Sequence, residues 1–110
     1  MRALLDTCAF LWMAALPDKL SATARNFVAQ GDNELLVSAA SAFEISIKRR
    51  LGRLELAPGD LGTAAFMSRA MERLDLTPLD VSMVHAAGAG EIDHDHRDPF
   101  DRLLAAQARS

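Results

Sequence analysis

Apolar residues fall along the chain in short blocks separated by turn formers. Arg2 to Leu5 is brief and apolar and stops at Asp6-Thr7. That is the pattern of a buried parallel strand whose C-terminal tip carries chemistry. Cys8 to Leu16 is apolar nearly all round, which predicts a buried helix, broken by Pro17-Asp18. Ser21 is suited to N-cap a second helix, Ala22 to Gln30, with Ala24, Phe27 and Val28 on one face. After the turn signal Gly31-Asp32-Asn33, Glu34 to Ser38 reads as a second strand centred on Leu35, Leu36 and Val37.

Ser41 is the expected cap of a third helix, Ala42 to Leu51, in which Phe43, Ile45, Ile47 and Leu51 bracket Glu44 and Lys48 at i, i+4 spacing. Gly52 is its natural stop. Leu54 to Pro58 reads as loop, and Asp60 to Arg73 as an amphipathic helix with Leu61, Ala65, Met67 and Met71 apolar. Leu74 to Thr77 is a short third strand ending at Pro78, and Asp80 is placed to start a helix running to about Ala89. A polar stretch, Glu91 to Asp98, leads to a last helix, Phe100 to Arg109, with Pro99 in its first turn. The order β-α-α-β-α-α-β-α-α predicts an α/β fold, a parallel sheet covered by helices.

Composition adds boundaries to this picture. The 110 residues are 50% hydrophobic and 25% charged, the balance of one globular domain rather than a disordered or collagen-like chain. A single cysteine, Cys8, can form no internal disulfide and cannot alone build a zinc site; it reads as a small buried residue. The net charge of −3 argues against nucleic-acid binding through bulk positive charge, though not against a local basic patch. The longest nearly uncharged apolar run, Thr7 to Leu16, is about half a membrane span. Asp6 interrupts the only stretch resembling a signal peptide, so a cytoplasmic location is expected, with no membrane association.

Four acids stand out: Asp6, Glu44, Asp98 and Asp101. Asp6 ends the first strand, and open α/β sheets bind ligands beyond the C-terminal ends of their strands. Glu44 is expected in the first turn of the helix after the second strand, facing the same edge. Asp98 and Asp101 open the last helix at i, i+3. Carboxylates that converge in space repel unless a cation joins them, and hard oxygen ligands suit Mg²⁺ or Mn²⁺. Singly, Glu44, Asp98 and Asp101 read equally well as helix caps or dipole partners. Asp6 fits that ordinary reading less well, since an acid directly after a buried strand is costly without a role.

The residues carry a resemblance. Leu4-Leu5-Asp6-Thr7, then Val37-Ser38-Ala39-Ala40-Ser41-Ala42-Phe43-Glu44-Ile45-Ser46-Ile47-Lys48, then Gly52-Arg53-Leu54, and finally the segment from His96-Arg97-Asp98-Pro99-Phe100-Asp101-Arg102 through Ala108 resemble the PIN-domain family, in particular the VapC-like toxins of type II toxin–antitoxin systems. The resemblance runs the whole length of the chain, residues 1–110. It implies a PIN-like three-layer α/β/α fold and a Mg²⁺- or Mn²⁺-dependent endoribonuclease, with RNA as substrate and a cognate antitoxin as partner. By this resemblance Asp6, Glu44 and Asp101 match the metal ligands and catalytic acids, and Asp98 is the additional acid beside them. Thr7 matches a site hydroxyl. Thr7, Lys48, Arg97 and Arg102 are the expected substrate contacts. A related DNA nuclease fits the same carboxylates.

The chain also departs from the family. Relatives carry two further strands and a fourth acid after the last helix, and no acid follows Asp101 here. The expectation is a PIN domain truncated after its last acidic helix. Its first strand, central in relatives, would become an edge open to another chain, favouring a homodimer or higher assembly. Metal binding and cleavage would be weakened. The competing function is a catalytically weak or silent PIN protein that acts by binding an antitoxin.

Other side chains have plainer readings. His85, His94 and His96 suggest a softer metal, but His94-Asp95-His96 could chelate zinc only with help from elsewhere. The resemblance instead sets His96 near the acids. Lys48, Arg49, Arg50 and Arg53 put four cations within six positions, suited either to tracking a phosphate backbone or to a solvated helix C-terminus. Phe10, Trp12 and Met13 read as core, in a helical region that in the family also helps form the antitoxin groove.

Overall fold

The computed structural model describes residues 2–55, 62–92 and 98–110, and Val28 only in its backbone. Among these residues the chain forms β1 (Arg2–Leu5), α1 (Thr7–Ala15), a 3-10 turn (Pro17–Lys19), α2 (Ala22–Ala29), β2 (Glu34–Ser38), α3 (Ala39–Arg50), α4 (Thr63–Leu74), β3 (Thr77–Leu79), α5 (Met83–Glu91) and α6 (Pro99–Arg109). The strands make a parallel sheet in the order β1-β2-β3. Arg2 to Leu5 pair with Glu34 to Val37, and Leu36 to Ser38 with Thr77 to Leu79. Two parallel crossovers bring the ends of all three strands to one side, and among the described residues β1 lies at the sheet edge.

Alternation along the strands divides the sheet's two faces. Ala3, Leu5, Leu35 and Val37 pack into one core with Phe10, Met13, Ile45, Met67, Ala70 and Leu76. Leu4, Leu36 and Leu79 belong to the opposite face. There they line a cavity of about 410 Å³ with Gln107, Ala108 and Ser110 at the end of α6. Helices thus cover both sides of the sheet, the α/β/α layering expected.

Several boundaries differ from the sequence reading. The third helix begins at Ala39, not Ala42, because Ser38 rather than Ser41 caps it, accepting from the Ala40 N–H at 3.0 Å. Ser41 is instead buried inside the helix, and Glu44 falls in its second turn. The third strand is Thr77–Leu79 rather than Leu74 to Thr77. Helix α4 runs on to Leu74, Asp75 turns the chain in the left-handed region at φ 54°, and Leu76 enters the core. Pro78 is tolerated because, among the described residues, β3 is an edge strand that needs bonds on one side only.

Helix α5 starts at Met83 rather than Asp80, since Ser82 and His85 form a reciprocal capping box. The Ser82 Oγ accepts from the His85 N–H and His85 Nδ1 accepts from the Ser82 N–H, each at 3.1 Å. This gives His85 a structural role at the start of α5. Gly52 ends α3 as expected. At φ +73° it allows its own N–H to reach the Arg49 carbonyl at 3.0 Å and the Arg53 N–H to reach Lys48 at 2.9 Å, the paired bonds of a Schellman stop.

Helix α1 is not buried all round. Thr7, Phe10 and Met13 form its inner face, while Trp12 is 37% exposed and Cys8 is exposed, against the expectation of a buried thiol. No helix among the described residues is long and apolar enough to cross a membrane.

Candidate active site

The site is built where β1 and β2 hand over to helices. Asp6 follows β1 directly and caps α1, its Oδ1 accepting from the Ala9 N–H at 2.7 Å. The next residue, Thr7, is 5% exposed. Its Oγ1 lies 2.7 Å from Glu44 Oε1 and 2.9 Å from Ser41 Oγ. A hydroxyl carries one proton. The carboxylate, the stronger acceptor, takes it, and Ser41 supplies its own proton to the Thr7 oxygen.

Ser41, Glu44 and Lys48 are spaced three and four apart, so they share one stripe of α3. Glu44 is 8% exposed. Its second oxygen, Oε2, accepts from Lys48 Nζ at 2.6 Å in a salt bridge. The ammonium side is more open, with 43% of the Lys48 side chain exposed against 11% for Glu44. The Lys48 amine is held above the usual 10.5 of lysine. The hydrogen bond to Glu44 is the main cause, partial burial opposes it, and attraction to Glu44, Cys8 and Asp98 adds to it.

From the other side, Asp98 caps α6, its Oδ1 accepting from the Phe100 N–H at 2.8 Å and the Asp101 N–H at 3.3 Å. Asp101 is in the first turn of that helix and exposed. The rings of Phe43 and Phe100 meet edge-on at 5.6 Å. They join α3 beside Glu44 to α6 beside Asp101.

A family model for the PIN domain matches residues 3–110. The chain belongs to the PIN domain family. It is also similar to Ribonuclease VapC16 of Mycobacterium tuberculosis (strain ATCC 25618 / H37Rv), with 42% identity over 55 residues, which is 50% of this chain and 37% of that protein. The chain thus spans little more than a third of the length of that relative. No solved structure matches it.

In this PIN domain the described acids approach the edge of the sheet without closing into a cage. No three His, Cys, Asp or Glu residues among the described ones are grouped to hold one ion. The donor set nevertheless fits a hard divalent cation. Mg²⁺ is commonly held by one or two carboxylates, with water and phosphate filling the rest. Glu44 is a nearly buried carboxylate that already attracts a cation. Asp6 and Asp98 each use one oxygen as a cap, and the second oxygen of each has no other hydrogen bond among the described residues.

The cations of this PIN domain are distributed unevenly. Lys48 is bound to Glu44, and Arg49 donates to Thr63 Oγ1 at 2.9 Å. Arg50 and Arg53 are exposed at the end of α3. Arg102 faces backbone carbonyls, donating to Ala89 at 2.9 Å, Gly90 at 3.1 Å and Ile92 at 2.7 Å. Ala89 and Gly90 belong to the last turn of α5 and Ile92 is its C-cap; the terminal carbonyls of a helix lack helical partners and favour a cation. Arg102→Met is therefore expected to lower stability by about 1.5–3 kcal/mol, read as a lower midpoint in urea unfolding. An unchanged midpoint would show that the guanidinium contributes nothing to closing α5.

Arg97, His94 and His96 lie outside the described residues. Ser41 was not among the expected site residues. Its signal in the sequence is its position three before Glu44, on the same helical stripe.

Proposed function

We propose that the chain is a VapC-like nuclease that hydrolyses RNA phosphodiester bonds with a divalent ion, Mg²⁺ or Mn²⁺, as the toxin half of a type II toxin–antitoxin pair. The observation that carries this reading is the nearly buried Glu44 carboxylate beside Asp6-Thr7 at the C-terminal edge of the sheet, in a chain of the PIN domain family. Similarity to a protein named a ribonuclease supports RNA as the substrate.

Asp6, Glu44 and Asp101 would hold the ion, with Asp98 beside them. When bound, such an ion supplies a water of lowered pKa and offsets the charge that develops on phosphorus. The chain's own residues do the positioning. Thr7 fixes the rotamer of Glu44 through one oxygen, and α1 and α6 present Asp6 and Asp98 from rigid helix starts. The exposed Arg50 and Arg53 are placed to meet phosphates along a strand, contacts that give affinity without reading sequence.

Purified protein incubated with RNA and Mg²⁺ is expected to cleave it, to stop when EDTA removes the metal, and to lose cleavage on Asp101→Asn. Cleavage that survives both treatments rejects the proposal. A second reading, an antitoxin-binding protein without activity, is favoured by one observation: Lys48 already neutralises Glu44. Antitoxin binding without Mg²⁺-dependent cleavage would establish it.

Self-association is part of the same proposal: among the described residues β1 is an edge strand, and an edge strand presents unpaired backbone groups to a second chain. Sedimentation is expected to show a dimer or larger species. A monodisperse monomer at micromolar concentration that unfolds cooperatively counts against it.

A further inference from the structure

Glu44 is engaged on both oxygens, but the two partners are unlike. Thr7 is 5% exposed and held in turn by Ser41. Lys48 is a long side chain, 43% exposed, on the solvent side of the carboxylate. One partner is fixed and the other can swing away. A lysine ammonium is a compact, mobile point charge on a flexible stem. At 2.6 Å from Oε2 it neutralises a carboxylate that would otherwise be costly to bury.

Accordingly, we propose that Lys48 is the built-in counter-ion of Glu44. It occupies the carboxylate oxygen that a divalent ion would use, so that metal entry displaces the ammonium toward solvent. The inference rests on the nuclease reading in taking Glu44 as a metal ligand. In the metal-free protein Lys48 is the charge partner of a nearly buried carboxylate. Once displaced, the same ammonium is left beside the acidic edge, where a phosphodiester would lie.

The charge balance gives the direction. An ammonium and a divalent cation on one carboxylate repel each other, so removing the ammonium must strengthen metal binding. A neighbouring unit charge changes a carboxylate's proton affinity by about 10- to 1,000-fold, and a divalent ion responds to it at least as strongly. A residue that merely supports the fold would not tighten metal binding when removed.

The test uses the full chain, with Mn²⁺ as the probe and no RNA present. Free Mn²⁺ is followed by its paramagnetic resonance signal. Lys48→Met is expected to bind Mn²⁺ at least about tenfold more tightly than the unmodified protein. Lys48→Arg, which keeps the charge, is expected to bind it within about threefold of the unmodified protein. The thermal midpoint of Lys48→Met should be lowered without metal and recover on adding Mn²⁺. Equal or weaker Mn²⁺ binding by Lys48→Met overturns the inference, as does an absence of Mn²⁺ binding in every form.

A second measurement needs no Lys48 variant to fold. Acetylation of Lys48 in the unmodified protein, followed by mass spectrometry, should be slow without metal and faster with Mn²⁺. Glu44→Gln should be labelled rapidly in both conditions. Labelling that is unchanged or slowed by Mn²⁺ overturns the inference. The two readings also fail separately. Mg²⁺-dependent RNA cleavage with Lys48 unmoved by Mn²⁺ keeps the nuclease and discards the counter-ion. Release of Lys48 by Mn²⁺ in a protein that cleaves no RNA does the reverse.

Discussion

Phe10→Ala is expected to remove about 3–5 kcal/mol of stability, a large part of the roughly 5–15 kcal/mol that holds a domain of ordinary stability together. Phe10 is fully buried, and its ring meets that of Phe66 edge-on at 6.1 Å. It fastens α1 to the core, and α1 carries Asp6 and Thr7 at its start. The cavity it would leave lies among Leu35, Val37 and Ile45, residues anchored by the sheet and α3 that cannot easily close over it. Urea unfolding should show a lower midpoint at an unchanged slope. A loss below about 1 kcal/mol would mean that α1 is not seated on this core. Trp12→Ala, on the more exposed side of the same helix, should cost clearly less.

Asp6→Asn should separate chemistry from folding. Asparagine caps helices about as well as aspartate, so the bond to the Ala9 N–H can remain while the negative charge goes. The thermal midpoint should move by less than about 4 °C, equivalent to under about 1 kcal/mol. Metal-dependent RNA cleavage should fall by at least about 100-fold, the upper range for losing even an outer partner of a metal ligand. Cleavage close to the unmodified level would exclude Asp6 from the chemistry. A collapse in stability would show that its charge serves the fold instead.

Much of this architecture is legible in the sequence, because the hydrophobic blocks and their punctuation agree. The strands Arg2–Leu5 and Glu34–Ser38 stand where the apolar runs place them, and Pro99 opens the last helix. The start of α3 is less legible, since Ser38 and Ser41 are equally good caps in isolation. What decides between them is that β2 passes into the helix without a loop. The third strand is displaced because Leu76 is buried as a core residue outside any strand, a role that local propensity does not reveal. Helix α1 lacks a polar side to orient it, so the exposure of Cys8 could not be read from its pattern.

The candidate site divides in a similar way. The Glu44–Lys48 pair follows from i, i+4 spacing within one helix. The contact of Thr7 with Ser41 and Glu44 joins residues 34 and 37 positions apart, and only the β1–β2 pairing brings them together. The hold of Arg102 on the end of α5 depends on how two helices dock, which no single segment specifies.

The helix caps have a bearing on sequence drift. Serine caps α2, α3 and α5 at Ser21, Ser38 and Ser82, whereas aspartate caps α1 and α6 at Asp6 and Asp98. For starting a helix, serine, asparagine and aspartate are close to interchangeable. A lineage that had abandoned the chemistry could therefore exchange either aspartate for serine or asparagine with little loss of fold. The two acidic caps thus become a test that can be read in any descendant gene. On the proposed nuclease reading, loss of negative charge at position 6 or 98 while the caps persist would mark a protein that still folds and no longer cuts.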